Sequence, residues 1–299
     1  MKATFEKIYH WLYYKLIFSI KVWLKRRLVQ GLKLNRPVSY PFITGDGFRS
    51  FAQHIFDDIS DFDPKKVLHG DIVFARIDML HDFFKKIDPQ IENRYILVSH
   101  NADYSISHEF DEYNKDKIIH WFGQNMLTRF PNTTPIPIGI TNFRYLEEIH
   151  LLEKALSSGS IKKNKIVVAF RPIRERLNIK NKLLTFKNID DSGELGKSDY
   201  FQKIFDYKFV ASPEGNGPDC HRTWESMYLR SIPIVIRNTY TEYFEKIGLP
   251  IMLIENWDEL SNLDEAALEA KYEELKPRFS SPALSLDYWQ KTVNEYKLK

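Results

Sequence analysis

The sequence predicts an α/β protein built from two Rossmann-like domains facing a cleft, with a basic amphipathic helix at its N-terminus. Three observations carry this. Short apolar runs suited to buried strands alternate with stretches of helical periodicity from about residue 38 onward. A polar stretch, Ser157-Ser158-Gly159-Ser160 followed by Lys162-Lys163-Asn164-Lys165, interrupts the alternation, which then restarts. Residues 207–237, YKFVASPEGNGPDCHRTWESMYLRSIPIVIR, read as strand, tight loop, helix and strand. The resulting boundaries are 1–36 for the N-terminal segment, 37–158 for the first domain and 159–299 for the second.

The N-terminal segment holds nine Lys/Arg against Glu6 alone, a net +8, so the rest of the chain carries −5 of the total +3. Residues 8–24 are strongly apolar but contain His10, Lys15 and Lys21, and they fall short of the roughly 20 apolar residues a span needs. No small-residue cleavage site follows, which argues against a signal peptide. The segment reads as a basic amphipathic helix on an anionic membrane surface, with Trp11, Tyr13, Tyr14 and Trp23 at the interface. The competing reading is a helix packed on its own domain or on a partner subunit.

In the first domain the pattern predicts a strand at 38–44, then Gly45-Asp46-Gly47, then a helix at 48–59 with Phe48, Phe51, Ile55 and Phe56 on one side. Strands follow at 71–77, 94–99 and 117–122, with a helix at 79–87. The run at 94–99, RYILVS, ends in His100-Asn101-Ala102-Asp103, polar residues at the C-terminal end of a strand. Residues 135–139 are extended but broken by proline, as at a sheet edge or in a loop. A helix is expected at 143–156.

In the second domain a strand at 166–170 precedes helices at 173–184 and 198–205. Tyr207–Ala211 is a buried strand. Ser212-Pro213-Glu214-Gly215-Asn216-Gly217-Pro218 stops it, because its prolines and glycines break both ladder and helix. Asp219 is placed to cap a helix running to about Leu229, and a second buried strand spans 232–236. A helix at 241–247, a strand at 251–254 and helices at 263–275 and 285–296 complete the chain. The loop sets backbone N–H groups and a helix start at the end of a strand, where α/β sheets bind anions and nucleotides. His221, Arg222 and Glu225 ring the same place.

The stretch from Ser212 to Val235 resembles the exostosin-type glycosyltransferases. The matching residues are Ser212, Pro213, Gly215, Gly217, Asp219, His221, Arg222, Trp224, Glu225, Ile232, Pro233, Ile234 and Val235, about a tenth of the chain. TGDGFR (44–49), YILVSHNADY (95–104) and PIPIGITN (135–142) resemble bacterial relatives more loosely. Arg230 departs from the pattern, standing where a glycine often lies. The resemblance implies the two-domain GT-B fold, a UDP- or GDP-sugar donor in the second domain, a glycan or glycolipid acceptor in the first, no essential cofactor or metal, and inversion at the sugar.

Transfer of a sugar needs the leaving diphosphate stabilised by cations and N–H groups. Arg222 can aim its fork at the phosphates, and Arg171, Arg174 and Arg176 in FRPIRER lie at the matching end of the sheet. Glu225 is placed to accept from ribose hydroxyls. Arg222 and Glu225 are also three apart, the spacing of an exposed helical ion pair. The donor site so read comprises Arg171, Arg174, Arg176, Ser212, Glu214, Gly215, Asn216, Gly217, Asp219, His221, Arg222 and Glu225. Trp224 reads as core. The general base is expected from the first domain, among Asp46, His100 and Asp103.

Other chemistries fit poorly. Asp61-Phe62-Asp63 matches a metal-binding Asp-x-Asp pattern of single-domain (GT-A) transferases, but it follows a helix and precedes Pro64. No HExxH, GxxxxGK[ST] or GxSxG motif occurs. The single cysteine, Cys220, rules out an intrachain disulfide and a cysteine-based zinc cluster, in keeping with a reducing, cytoplasmic setting on the inner face of a membrane. A net charge of +3 speaks against nucleic acid as a partner. The same fold without catalysis, binding nucleotide or glycan only, is the second reading.

Overall fold

A computed structural model describes residues 39–297 apart from 114, 128–130, 143–144 and 174, with the backbone alone at 145–148. The expected N-terminal helix with its membrane face, and the predicted donor residue Arg174, lie outside the described residues.

Two five-stranded sheets are present, and every strand pair in them is parallel. The expected pair of Rossmann-like α/β units is therefore observed. Helix α1 (Gly45–Arg49) opens the first unit. Its sheet runs β1 (His54–Phe56), β2 (Ile72–Arg76), β3 (Tyr95–His100), β4 (Ile118–Gly123) and β5 (Thr133–Pro135), in that spatial order. Helical turns Ile77–Met79, Leu80–Asp82 and Phe83–Ile87 follow β2. Alternate residues serve opposite faces: Ile72 and Phe74 join one core, Val73 and Ala75 another. Burial on both faces is why these strands read as unbroken apolar runs.

Helix α2 (Tyr145–Leu156) leads into the second unit. There follow β6 (Lys163–Val168), α3 (Glu175–Leu183), β7 (Ile189–Asp191), α4 (Lys197–Phe205), β8 (Tyr207–Ala211), α5 (His221–Tyr228), β9 (Ile232–Ile236), α6 (Thr239–Lys246), β10 (Met252–Ile254), α7 (Glu265–Leu275) and α8 (Leu286–Asn294). The spatial order is β10-β9-β8-β6-β7. The chain lays β7 on one side of β6 and then β8 on the other, so the winding reverses between β6 and β8. In open α/β sheets such a reversal opens a crevice beyond the strand ends.

The two units exchange helices. Leu152 and Ala155 of α2 pack with Val167, Phe201, Ile204 and Val210 of the second unit. Leu286, Trp289 and Val293 of α8 pack with Phe48, Ile72, Phe74 and Val98 of the first. That cluster continues through Ile136 and Ile138 to Trp224, Tyr240 and Phe244, so one core joins both units. The polar stretch 157–165 marks a change of sheet, not a limit of packing. Within it, Lys162 folds its ammonium onto the carbonyl of Phe205, the Leu229 carbonyl at 3.0 Å and Ser231 Oγ at 2.9 Å. Burial pushes its pKa down to about 7.

Two local expectations are corrected. Residues 39–44 form no strand; the chain turns at Tyr40 and Pro41, and proline lacks the N–H a ladder needs. The helix expected over 48–59 is the short α1, which ends at Arg49, followed by edge strand β1. Among the described residues, no helix is long and apolar enough to cross a membrane.

Candidate functional site

The crevice between β6 and β8 holds a cavity of about 490 Å³. Its walls come from the segment after β6 (Ile173, Glu175, Arg176), the loop after β8 (Pro213, Glu214, Gly215, Asn216), the end of β9 (Ile236) and Trp257. Arg176 brings the cation and Trp257 a flat apolar wall. Glu214 reaches solvent, yet partial desolvation and then the charge of Glu175 push its carboxyl above the usual range.

A second cavity, about 400 Å³, opens over the ends of β2, β3 and β4 in the first unit. Arg76, Asn101, Asp103, Gln124 and Asn142 give it a polar lining, and His221 enters it from the second unit. The 212–219 loop is the partition between the two spaces. Asn216 lines the first cavity, and its Nδ2 donates to Asp103 Oδ2 in the second at 3.1 Å. At Gly217 the loop backbone presses so close that a Cβ would stand 2.6 Å from both Asn125 Nδ2 and Asp103 O. The glycine thus serves contact between the units. Gly215 closes the turn, its N–H donating to Gly217 O at 3.0 Å.

Several residues read as donor contacts from sequence are instead the scaffold of this loop. Arg222 is 8% exposed; its Nη2 donates to Pro213 O at 2.5 Å and its guanidinium lies over the Phe170 ring, 5.1 Å from the centroid. Among the described residues its buried Nε has no hydrogen-bond partner. Glu225 is buried and accepts from the Tyr200 hydroxyl at 2.7 Å. The pair does not form the exposed helical ion pair considered above. Ser212 is buried, its Oγ 2.9 Å from Thr223 Oγ1. Arg171 is exposed after β6 and does not line the cavity. Trp224 is fully buried, as the sequence suggested.

Asp219 does not cap α5. The N-cap is Cys220, whose side chain makes no capping bond. Buried Asp219 instead accepts from Ile138 N at 2.8 Å, Cys220 N at 2.8 Å, Trp224 Nε1 at 2.8 Å and Tyr240 Oη at 2.9 Å. Burial pushes its carboxyl above the usual range, against the downward pull of these donors. Since Ile138 belongs to the first unit, the carboxylate bolts the loop across the cleft.

The three base candidates differ in their surroundings. Asp103 is exposed at the cleft. Asp46 is half-buried at the start of α1, with Asn101 Nδ2 at 3.5 Å from its Oδ1 and Asn142 Oδ1 accepting from its N–H at 2.8 Å; Thr44, not Asp46, caps the helix. His100 is buried and uses both nitrogens: Nε2 donates to Pro137 O at 3.0 Å and Nδ1 accepts from Asn101 N–H at 2.7 Å. It has no lone pair left for a hydroxyl proton.

Burial holds His100 at about 4, below its ordinary 6.5, outweighing the upward pull of Pro137 and Asn101. The unfolded chain therefore takes up a proton near pH 6.5 that the fold refuses until about pH 4, so stability is lost as pH falls through that window. Between pH 7 and 4.5, wild type should lose about 2–3 kcal/mol more stability than His100→Gln, which keeps a donor to Pro137 O but does not titrate. Urea unfolding at both pH values measures this, and equal losses would refute it.

Sequence reasoning missed Asn101, Gln124 and Asn142. Gln124 directly follows a strand and Asn142 closes PIPIGITN, so the strand-end rule and the resemblance each held a signal. Asn101 sits at φ 68°, a left-handed conformation asparagine tolerates. Trp257 reaches its cavity from far along the chain, and no sequence signal marks it. Asp61 and Asp63 line neither cavity; Asp63 caps the turn Pro64–Lys66. Among the described residues no group of three or more His, Cys, Asp or Glu is placed to hold a metal. A further cleft, about 700 Å³, lies between Asn132–Pro135 and α6, against edge strand β5 rather than over the central strand ends. One of its charged groups, Arg237, is tied to Glu255 at 2.6 Å.

No family model and no curated protein matches the chain. Among solved structures it is similar to a UDP-forming α,α-trehalose-phosphate synthase from Burkholderia xenovorans, at TM-score 0.45 and 9% identity, covering 80% of this chain and 75% of that one. It is also similar to an α,α-trehalose 6-phosphate synthase from Burkholderia multivorans, at TM-score 0.41 and 9% identity, covering 77% and 69%.

Proposed function

We propose that this chain is a glycosyltransferase of GT-B type. It moves a sugar from a nucleoside diphosphate sugar, with UDP or GDP as carrier, to a hydroxyl of a glycan or lipid-linked glycan. The transfer inverts the anomeric centre and uses no metal. One observation carries the reading: the crevice at the winding reversal of the second sheet adjoins a polar cavity over the strand ends of the first, and the 212–219 loop reaches from one to the other. A nucleotide in the first space and a hydroxylated acceptor in the second would meet at that loop. The exostosin-like residues of the loop and α5 support it. Arg176 faces the diphosphate, Trp257 and Ile236 the base, and Glu175 and Glu214 accept from ribose or sugar hydroxyls. Asn101, Asp103, Gln124 and Asn142 hold the acceptor. The basic segment 1–36 keeps the enzyme at the inner, anionic membrane face that carries a lipid-linked acceptor.

Calorimetry with UDP and with GDP tests the reading. One of them should bind, and Arg176→Ala should weaken it by roughly ten- to a hundredfold, the worth of a charge-assisted hydrogen bond of about 1.5–3 kcal/mol. No binding of either nucleotide by wild type would sink the proposal.

A further inference from the structure

We infer that His221 is the group that takes the proton from the acceptor hydroxyl, an assignment that rests on the glycosyltransferase reading above. His221 Nδ1 lies 2.7 Å from the carbonyl oxygen of Gly139. A carbonyl oxygen only accepts, so Nδ1 carries the hydrogen, and the neutral ring then has its lone pair at Nε2. No described residue takes up that lone pair. The ring forms part of the wall of the first-unit cavity, beside Asn101, Asp103 and Asn142. His100, the other histidine there, has both nitrogens engaged.

The carbonyl that sets the tautomer is itself fixed. Gly139 has φ 67°, and a Cβ there would stand 2.1 Å from Ile43 O. The next residue, Ile140, donates its N–H to that same Ile43 oxygen at 2.9 Å. Gly139 belongs to the first unit and His221 to the second, so the lone pair is aimed only when the units are docked. In the step, the acceptor oxygen forms its bond to the anomeric carbon as its proton passes to Nε2. The bond from that carbon to the diphosphate oxygen breaks, and its electron pair leaves with the nucleoside diphosphate. His221 ends as an imidazolium and returns the proton to water.

His221→Asn separates positioning from proton transfer, because the Asn amide nitrogen sits where Nδ1 did and can still donate to Gly139 O, while Nε2 is gone. The probes are UDP-glucose, UDP-N-acetylglucosamine and GDP-mannose, with release of UDP or GDP as readout, in water and with simple sugars as acceptors. His221→Asn should lower turnover by about 10²–10⁴-fold, with nucleotide affinity within about twofold of wild type. Turnover within about threefold of wild type, or loss confined to Asp103→Asn, overturns the assignment. Parallel loss of nucleotide affinity also overturns it, showing a structural role. A readout independent of turnover is the long-range ¹⁵N–¹H spectrum of histidine-labelled wild type, with His221→Asn identifying the signal. An Nδ1–H tautomer is expected, and an Nε2–H tautomer overturns the assignment. A wild type that binds neither UDP nor GDP overturns the proposed function, and with it this assignment.

Discussion

Asp219→Ala is expected to lower the unfolding free energy by about 4 kcal/mol, because it strands several buried donors at once and each costs roughly 1–3 kcal/mol when left unsatisfied. The carboxylate accepts from two backbone N–H groups, Ile138 and Cys220, and from the side chains of Trp224 and Tyr240. Tyr240 has a second acceptor in Ile136 O at 2.9 Å and can turn to it, so its loss is partial. Trp224 Nε1 and Ile138 N have no such alternative in their bonds. The Ile138 bond ties the first unit to the loop, so the variant should also loosen the partition between the cavities. Asp219→Asn should fall between the two, since its NH₂ cannot accept where Oδ1 or Oδ2 did. Urea unfolding measures the cost, and a loss below about 1 kcal/mol would show that water replaces the carboxylate without penalty.

Trp289→Ala is expected to cost about 3–5 kcal/mol, the usual price of deleting a buried tryptophan side chain. Trp289 is fully buried, its Nε1 donates to Ala283 O at 3.0 Å, and its ring lies 6.1 Å from Phe48 and 6.4 Å from Phe244. Those two rings belong to different units. The cavity would therefore weaken both, and hydrogen exchange should rise in β2 and β3 as well as in α8. Exchange raised in α8 alone would mean that the closing helix is an appendage rather than a shared wall.

How much was legible follows from where each signal resides. The strands β2, β3, β4, β6, β8 and β9 announced themselves as apolar runs because both faces of a parallel sheet are covered. Of the edge strands, β10 was legible at 251–254, whereas β1 and β7 were not. β7 pairs on one side only and contains Asp190 and Asp191, so no apolar run marks it. Around Phe48, Phe51, Ile55 and Phe56 the spacing suits a helix, but α1 ends at Arg49 and 54–56 pairs with β2 instead. Ladder bonds to a partner distant in sequence outweighed local periodicity.

The site divides the same way. The loop after β8, its glycines and the helix start were visible in the sequence because turn chemistry is local. The role of each polar residue on it was not. Arg222, Glu225 and Asp219 have the side chains a nucleotide site wants, yet they turn inward to Pro213 O, Tyr200 and Trp224. His221 and Arg222 are neighbours in sequence, and one faces the cleft while the other braces the loop.

By itself the sequence determined two α/β units, the strand–loop–helix at 207–237 and the residue types available there, since hydrophobic period and backbone-breaking residues act over short range. Only the tertiary structure decided that the units trade helices, that the loop parts two cavities and that a carbonyl of one unit sets the tautomer of a histidine in the other. Those outcomes depend on which surfaces meet across the chain, and burial assigns each polar group its partner only once they have met.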